Sequence, residues 1–140
     1  MKRKASAVWK GGLKDGKGTM STDTDALTNV SYTVGTRFGE EKGTNPEELI
    51  AAAHAGCFSM ALSNELGNAG MTAEQIETIA TLTIEKGEKG WTTTEIHLEV
   101  TAKIPGGNRA KFEDAANKAI AGCPVSRLLN TKITLDAKLV

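Results

Sequence analysis

The alternation of apolar and polar residues is clearest between residues 80 and 104. Two segments carry apolar residues at every second position, and they flank a turn bounded by Gly87 and Gly90. A period of two is typical of half-buried strands, because successive side chains of a strand point to opposite faces. The pattern predicts a β-hairpin whose inward face consists of Ala80, Leu82, Ile84, Ile96, Leu98, Val100, Ala102 and Ile104.

A long apolar segment between residues 46 and 67 predicts a helix. Asn45 is a suitable N-cap, a proline follows at the first helical position, and Glu48 completes a capping box. Beyond the cap, nearly every position is apolar or small, so we expect this helix to be buried on most of its faces. A single chain with a few short strands can scarcely cover it. The pattern therefore also predicts a homodimer that buries the helix between two subunits.

Weaker patterns complete the expected fold. They predict, in chain order, a strand marked by Ala5, Ala7 and Trp9, a strand at 19–22, a short strand marked by Tyr32, Val34 and Phe38, a helix at about 108–121, a short helix after Cys123, and a final strand with Ile133, Leu135, Ala137 and Leu139 facing inward. Strands, helix, hairpin, helix and strand in this order are typical of an α+β fold with an antiparallel sheet. A chain of 140 residues has the size of one domain, so we expect a single domain over 1–140.

Composition narrows the class of partner. Basic and acidic residues both number 17, so the net charge favours neither nucleic acid nor an anionic membrane. No apolar segment reaches the roughly 18–20 residues of a membrane-spanning helix, and no apolar stretch follows the basic start as in a secretory signal. Two cysteines are too few for a disulfide-stapled secreted scaffold. We expect a cytoplasmic protein with reduced thiols and with no nucleic-acid or membrane partner.

The two cysteines are the main candidates for chemistry. Cys57 and Cys123 are 66 positions apart, which excludes a CxxC redox motif and leaves a zinc site short of ligands. Cys57 lies mid-helix among small residues, where free cysteine often packs as a small hydrophobe. Cys123 precedes Pro124 at a predicted helix start, where the positive end of the helix dipole favours a thiolate. Local chemistry thus leaves open an inert pair or a working dithiol, and it favours Cys123 as the nucleophile.

No neighbour along the chain completes a catalytic triad around Cys57. His54 shares its helical face, which allows a Cys–His nucleophile pair or a histidine satisfied in the core. Glu47 is ten positions earlier, roughly 15 Å along the axis, and cannot reach Cys57 within one straight helix. Arg37 stands out because it lies just before the helix beside Phe38, although a weak surface ion pair with Glu40 or Glu41 is the alternative.

Two blocks of sequence resemble the OsmC/Ohr family. The first runs from Arg37 to Leu62 and contains Ala-His-Ala-Gly-Cys-Phe-Ser, and the second is Ala121–Ser126, Ala-Gly-Cys-Pro-Val-Ser. Their spacing agrees with the family, and the similarity extends from Trp9 to the final strand. The chain is most similar to the osmotically inducible protein C branch. In the organic-hydroperoxide-resistance branch the arginine comes from an earlier loop, which here is Gly11–Gly16 and contains none.

The resemblance implies a stress-response thiol peroxidase that reduces organic or lipid hydroperoxides, and hydrogen peroxide more weakly. It implies Cys57 as the peroxidatic cysteine, whose sulfenic acid Cys123 resolves as an intramolecular disulfide. Arg37 matches the family's catalytic arginine, and Glu47 matches the acidic residue that orients it. No cofactor is implied beyond an external dithiol reductant, for which lipoyl proteins are a candidate. The implied fold is an intertwined homodimer with antiparallel sheets packed around long central helices and with active sites at the subunit interface.

Two other hypotheses remain open beside the peroxidase. A hydrolase or transferase using Cys57 and His54 would not need Cys123. A non-catalytic, redox-sensing dimer would turn over no hydroperoxide. Under the peroxidase hypothesis, Arg37 supplies the positive charge that Cys57 lacks in its own helix. The distance along the helix suggests that Glu47 acts in the site of the partner subunit.

Overall fold

The computed structural model describes residues 1–140 and contains two sheets of three strands each. Its two units are Met1–Leu49 and Ile50–Val140. In the first unit, β1 (Ala5–Lys10), β2 (Lys17–Thr22) and β3 (Val30–Tyr32) form an antiparallel sheet in the order β1-β2-β3. The first two predicted strands, one marked by Ala5, Ala7 and Trp9 and the other at 19–22, are confirmed.

The third predicted strand is correct only in its first part. The structure has β3 up to Tyr32 and then a short helix, α1 (Val34–Phe38). Thr33 caps α1, because its hydroxyl accepts from the Thr36 N–H at 3.2 Å while the Thr36 hydroxyl accepts from the Thr33 N–H at 2.9 Å. The strand prediction around Val34 and Phe38 is therefore wrong, since this reciprocal cap turns the chain into a helix.

The long helix α2 (Pro46–Asn68) begins where the sequence predicts. The Asn45 side-chain oxygen accepts from the Glu48 N–H at 2.8 Å, which is the N-cap bond. Within one chain α2 buries a single stripe at four-residue spacing, consisting of His54, Phe58, Leu62 and Leu66. Burial on most faces is thus not achieved by one chain, because Met60 on another face is 77% exposed.

The hairpin of the second unit is confirmed as β4 (Gln75–Gly87) and β5 (Gly90–Lys103), joined by a tight turn. Gly90 has φ of +101°, a conformation that favours glycine at this position. Alternate residues of β5 point into the core, and the residue after the strand continues the pattern. The buried residues are Ile96, Leu98, Val100, Ala102 and Ile104.

The rest of the second unit is α3 (Arg109–Gly122), α4 (Pro124–Leu128) and β6 (Lys132–Leu139). The expectation of purely antiparallel sheets is wrong for β6, which pairs with β5 in parallel. The two helices form the connection between these strands, and a crossover of this length allows parallel pairing. Ala137, predicted to face inward, is exposed. No helix in this chain is long and apolar enough to cross a membrane.

The core of the second unit joins the α2 stripe, the inward face of β5 and one face of α3. The α3 residues in this core are Phe112, Ala115, Ala116 and Ala119. Cys123 belongs to the same core, and Cys57 packs against it. Packing therefore fixes the positions of both cysteine-bearing segments.

Candidate active site

The second unit brings the two cysteine sulfurs within 3.0 Å of each other. Cys57 lies in the middle of α2, and Cys123 lies where α3 ends and α4 begins. The Cys123 N–H donates to the Ala119 carbonyl at 2.8 Å, which ends α3, and Pro124 at the first position of α4 turns the chain away. Both thiols are free, so the pair is a dithiol held in hydrogen-bond contact.

The two thiols differ in exposure. Cys123 has no exposed surface, whereas Cys57 is half-buried. Cys57 opens onto a cleft of about 390 Å³ whose other lining residues are Met60, Ala61, Asn64, Glu65, Lys118, Ala119, Gly122 and Pro124. A small molecule that enters this cleft reaches Cys57 and not Cys123.

The two thiols also differ in acidity. Burial raises the pKa of Cys57, and its hydrogen bond to Cys123 raises that pKa further, against the opposing effect of the Val125 N–H. Burial acts in the same direction on Cys123, but hydrogen bonds from Cys57 and Ser126 and from the Val125 N–H outweigh it and lower the pKa of Cys123. The pair therefore shares a proton, with the negative charge favoured on Cys123. This agrees with the acidity expected for Cys123 at a helix start.

In the first unit, Arg37 and Glu47 form a two-pronged ion pair. The Arg37 Nη2 donates to the Glu47 Oε1 at 2.7 Å, and the Arg37 Nε lies 3.0 Å from Oε1 and 3.2 Å from Oε2. The side chains are 39% and 16% exposed. The alternative partners expected at the surface are not used, since Glu41 accepts instead from the Thr33 hydroxyl at 3.1 Å.

Hydrogen bonds tie α1 to the start of α2 and so position this ion pair. The Thr36 hydroxyl donates to the Thr44 carbonyl at 2.9 Å, and the Asn45 side-chain amide donates to the Thr36 carbonyl at 3.3 Å. The guanidinium of Arg37 also lies 4.8 Å from the centre of the Phe38 ring. Arg37 lines a cavity of about 270 Å³ together with Trp9, Leu13, Tyr32, Thr33, Val34 and Phe38. This cavity combines apolar walls with one cation.

His54 is placed differently from what a Cys–His nucleophile pair requires. Its ring is fully buried, its Nε2 lies 2.7 Å from the Ser126 hydroxyl, and its Nδ1 has no hydrogen-bond partner. Burial lowers the pKa of His54. The ring therefore bonds Ser126 and not the Cys57 thiol. Sequence reasoning missed Ser126, although its place three residues after Cys123 in the second cysteine block was a signal for it.

The fold and the paired sulfurs define an α+β protein with a dithiol site. The chain matches the sequence model of the OsmC-like protein family over residues 39–138 and belongs to this family. Two relatives named Peroxiredoxin OsmC, from Escherichia coli (strain K12) and Shigella flexneri, are each 49% identical over 137 residues. The match covers 98% of this chain and 96% of each relative.

Solved structures agree with this assignment at the level of the fold. An OsmC-like protein from Mycoplasma pneumoniae has a TM-score of 0.79 at 17% identity, covering 100% of this chain and 98% of that one. The organic hydroperoxide resistance protein OhrB of Bacillus subtilis has a TM-score of 0.68 at 22% identity, covering 98% of each chain. The predicted α+β class and the resemblance to the OsmC/Ohr family are confirmed.

Proposed function

We propose that this protein is a thiol-dependent peroxidase that reduces organic hydroperoxides, and hydrogen peroxide more weakly, through Cys57 and Cys123. The observation that carries the proposal is the pair of sulfurs 3.0 Å apart, of which only Cys57 is reachable from a cleft. The relatives named Peroxiredoxin OsmC, at 49% identity over nearly the whole chain, support the same activity.

In the first step the Cys57 thiolate attacks the distal oxygen of the hydroperoxide. The O–O bond breaks, an S–O bond forms, and the departing alkoxide takes a proton to become an alcohol. Cys57 is oxidised to a sulfenic acid. The exposure of Cys57 supports its role as the attacking sulfur, because Cys123 offers no surface to a substrate.

This step requires a positive charge near Cys57, because burial raises the pKa of that thiol. We propose that Arg37 supplies the charge and that Glu47 orients the guanidinium through the ion pair. Ten helical positions separate Glu47 from Cys57, roughly 15 Å along the axis. The ion pair therefore acts, in this proposal, on the cysteine of the partner subunit.

In the second step the Cys123 thiolate attacks the Cys57 sulfenic acid. An S–S bond forms, the S–O bond breaks, and the hydroxide takes a proton and leaves as water. The short separation of the sulfurs and the lowered pKa of Cys123 favour this step. An external dithiol then reduces the disulfide by exchange and becomes a disulfide itself. A lipoyl dithiol in the cytoplasm is the proposed donor, and the cycle uses no bound cofactor.

A homodimer in which residues 1–140 act as one domain completes the proposal. Large apolar side chains exposed on the single chain support it, and they include Ile50, Met60, Ile79 and Leu128. We expect Met60→Glu to shift sedimentation from dimer to monomer, because it places a charge in the subunit interface. Asn117→Glu, which adds the same charge on the exposed face of α3, is the control. A wild-type protein that sediments as a stable monomer at micromolar concentration would contradict the dimer.

The peroxidase is tested by one titration followed by intact mass. Reduced protein is treated with one equivalent of cumene hydroperoxide and quenched. We expect the wild type to lose two hydrogens, Cys57→Ser to keep its mass, and Cys123→Ser to gain one oxygen atom. An unchanged wild-type mass would contradict the peroxidase. Turnover undiminished in Cys123→Ser would instead favour a mechanism without a resolving cysteine.

A further inference from the structure

The proposed peroxidase cycle does not use one fully buried titratable side chain of the second unit, His54. His54 has no exposed surface, and it projects from α2 toward α4, where its Nε2 meets the Ser126 hydroxyl at 2.7 Å. The other ring nitrogen is buried without a partner. A buried polar group with an unsatisfied atom is costly, so its retention in an otherwise apolar core calls for a physical role.

The surroundings of the ring determine which nitrogen carries the proton. A proton on Nδ1 would leave a buried N–H without an acceptor, and buried unpaired N–H groups are rarer than under-satisfied acceptors. A second proton would put a charge in the core, which burial disfavours, as the lowered pKa of His54 indicates. We therefore assign neutral His54 with its proton on Nε2. In this form the ring donates to the Ser126 oxygen.

Ser126 connects this ring to the sulfur pair. It is itself buried, it lies three residues after Cys123 at the start of α4, and hydrogen bonding from its hydroxyl contributes to the lowered pKa of Cys123. A serine hydroxyl has one proton to donate, and its oxygen can accept a further bond. Because His54 donates to that oxygen, the Ser126 proton is left to point at the Cys123 sulfur. The contacts thus form a chain from His54 through Ser126 and Cys123 to Cys57.

We propose that His54 is a positioning residue for disulfide formation, which fixes the Ser126 hydroxyl as a donor to the Cys123 sulfur and so holds the resolving thiolate ready for the Cys57 sulfenic acid. The inference rests on the proposed peroxidase function. It assigns to the buried ring an effect on the second step of the cycle, through Ser126 and without contact to substrate.

The proposal predicts which of two products the oxidised Cys57 forms. A sulfenic acid is resolved to the disulfide, or it is oxidised further to sulfinic acid if resolution is slow. Loss of the Ser126 donor leaves fewer Cys123 sulfurs as thiolate, and the thiolate is the attacking form. Slower resolution lengthens the lifetime of the sulfenic acid, which a dimedone trap measures directly.

Four variants separate this role from general damage to the fold. Ser126→Ala removes the donor to Cys123, and His54→Leu removes the ring's N–H at similar volume. His54→Gln keeps an N–H that reaches Ser126 and should restore the effect. Ser59→Ala is the control, because it removes a hydroxyl from α2 that bonds Ala55 and Thr78 instead of the sulfur pair.

The readout is the fraction of Cys57 trapped by dimedone after one equivalent of cumene hydroperoxide. We expect about a tenfold increase over wild type for Ser126→Ala and a smaller increase for His54→Leu, since a hydrogen bond to a charged atom changes equilibria by about this factor. His54→Gln and Ser59→Ala should stay within about twofold of wild type. In a Cys57→Ser background, Ser126→Ala should also shift the Cys123 thiolate absorbance titration to higher pH.

The inference would be overturned if dimedone trapped the same fraction of Cys57 in Ser126→Ala as in wild type and the Cys123 titration were not shifted. If His54→Leu does not fold, His54→Phe, which also lacks an N–H, replaces it in the same comparison. Failure of the underlying function is distinguishable, because the wild type itself would then form neither disulfide nor trapped adduct. An increase in His54→Leu that His54→Gln does not reverse would also contradict the positioning role.

Discussion

Cys57 and Cys123 are held by buried core residues, whereas Arg37 and Glu47 are held by hydrogen bonds between two helix ends. The sulfur pair shares its core with Phe58 and Ala119, and Cys123 is fully buried. The ion pair is partly exposed and depends on caps and loop contacts. A dithiol needs a fixed separation, which packing provides. A cation that acts on a substrate or thiolate needs access, which the surface provides. Substitutions in the two regions should therefore fail in different ways.

The largest effect is expected on stability in the sulfur region. Phe58→Ala removes a fully buried ring beside Cys57, and we expect the free energy of unfolding to fall by about 3–5 kcal/mol in urea denaturation. Arg37→Ala should cost no more than about 1 kcal/mol, because partly exposed ion pairs contribute little. Equal losses in the two variants would contradict the distinction between a core-held and a surface-held region.

The next effect is expected on activity in the ion-pair region. We expect Arg37→Ala to lower kcat/KM for cumene hydroperoxide by roughly a hundredfold, because in the proposed mechanism Arg37 supplies the charge that stabilises the developing anion. Its pH profile should also move. Burial raises the pKa of Cys57, so without the cation the thiolate forms only at higher pH, and the inflection should move to higher pH.

The control for this variant is Arg109→Ala, which removes an exposed arginine from the first turn of α3. We expect it to leave both kcat/KM and the inflection unchanged. An Arg37→Ala protein with lower activity but an unshifted inflection would show that Arg37 does not act on the Cys57 thiolate.

Elements with a local signal were predicted well from the sequence. The hairpin was visible as a period of two, and the start of α2 was visible as a cap at Asn45. Non-local features were not. The direction of β6 depends on the crossover through α3 and α4, and the sequence of a strand does not record which way its partner runs. At α1, Tyr32, Val34 and Phe38 indicated a strand, but the reciprocal threonine cap makes the segment helical.

The candidate site shows the same limit. The resemblance paired Cys57 with Cys123 and Arg37 with Glu47, and these pairs are close in the structure. From the sequence alone, His54 was the candidate partner for Cys57, because only residues at helical spacing can be placed next to each other in this way. In the structure His54 instead bonds Ser126, which is 72 positions away along the chain. Contacts of this kind arise only when α2 packs beside α4.

A third prediction concerns the charge of Glu47, which can be removed while the size of its side chain is kept. Glu47→Gln keeps the size of the side chain but replaces a two-pronged charged contact with a weaker one. We expect about a tenfold loss of kcat/KM, since the guanidinium remains but loses its fixed orientation. Glu48→Gln, one residue further in the same helical turn, should change kcat/KM by less than about twofold. Equal effects of the two variants would indicate a general loss of acidic charge at the start of α2.

The smallest effect is expected at the ring beside the guanidinium. Phe38 is 38% exposed, and its centre lies 4.8 Å from the Arg37 Cζ, within range of a cation–π contact. Such a contact contributes about 0.5–1 kcal/mol at exposed sites, so Phe38→Leu should lower kcat/KM by about two- to fivefold. Phe38→Tyr keeps the aromatic face and should retain wild-type activity in the same assay. If both variants lose activity equally, the ring acts through packing in the Trp9 and Tyr32 cavity and not by orienting Arg37.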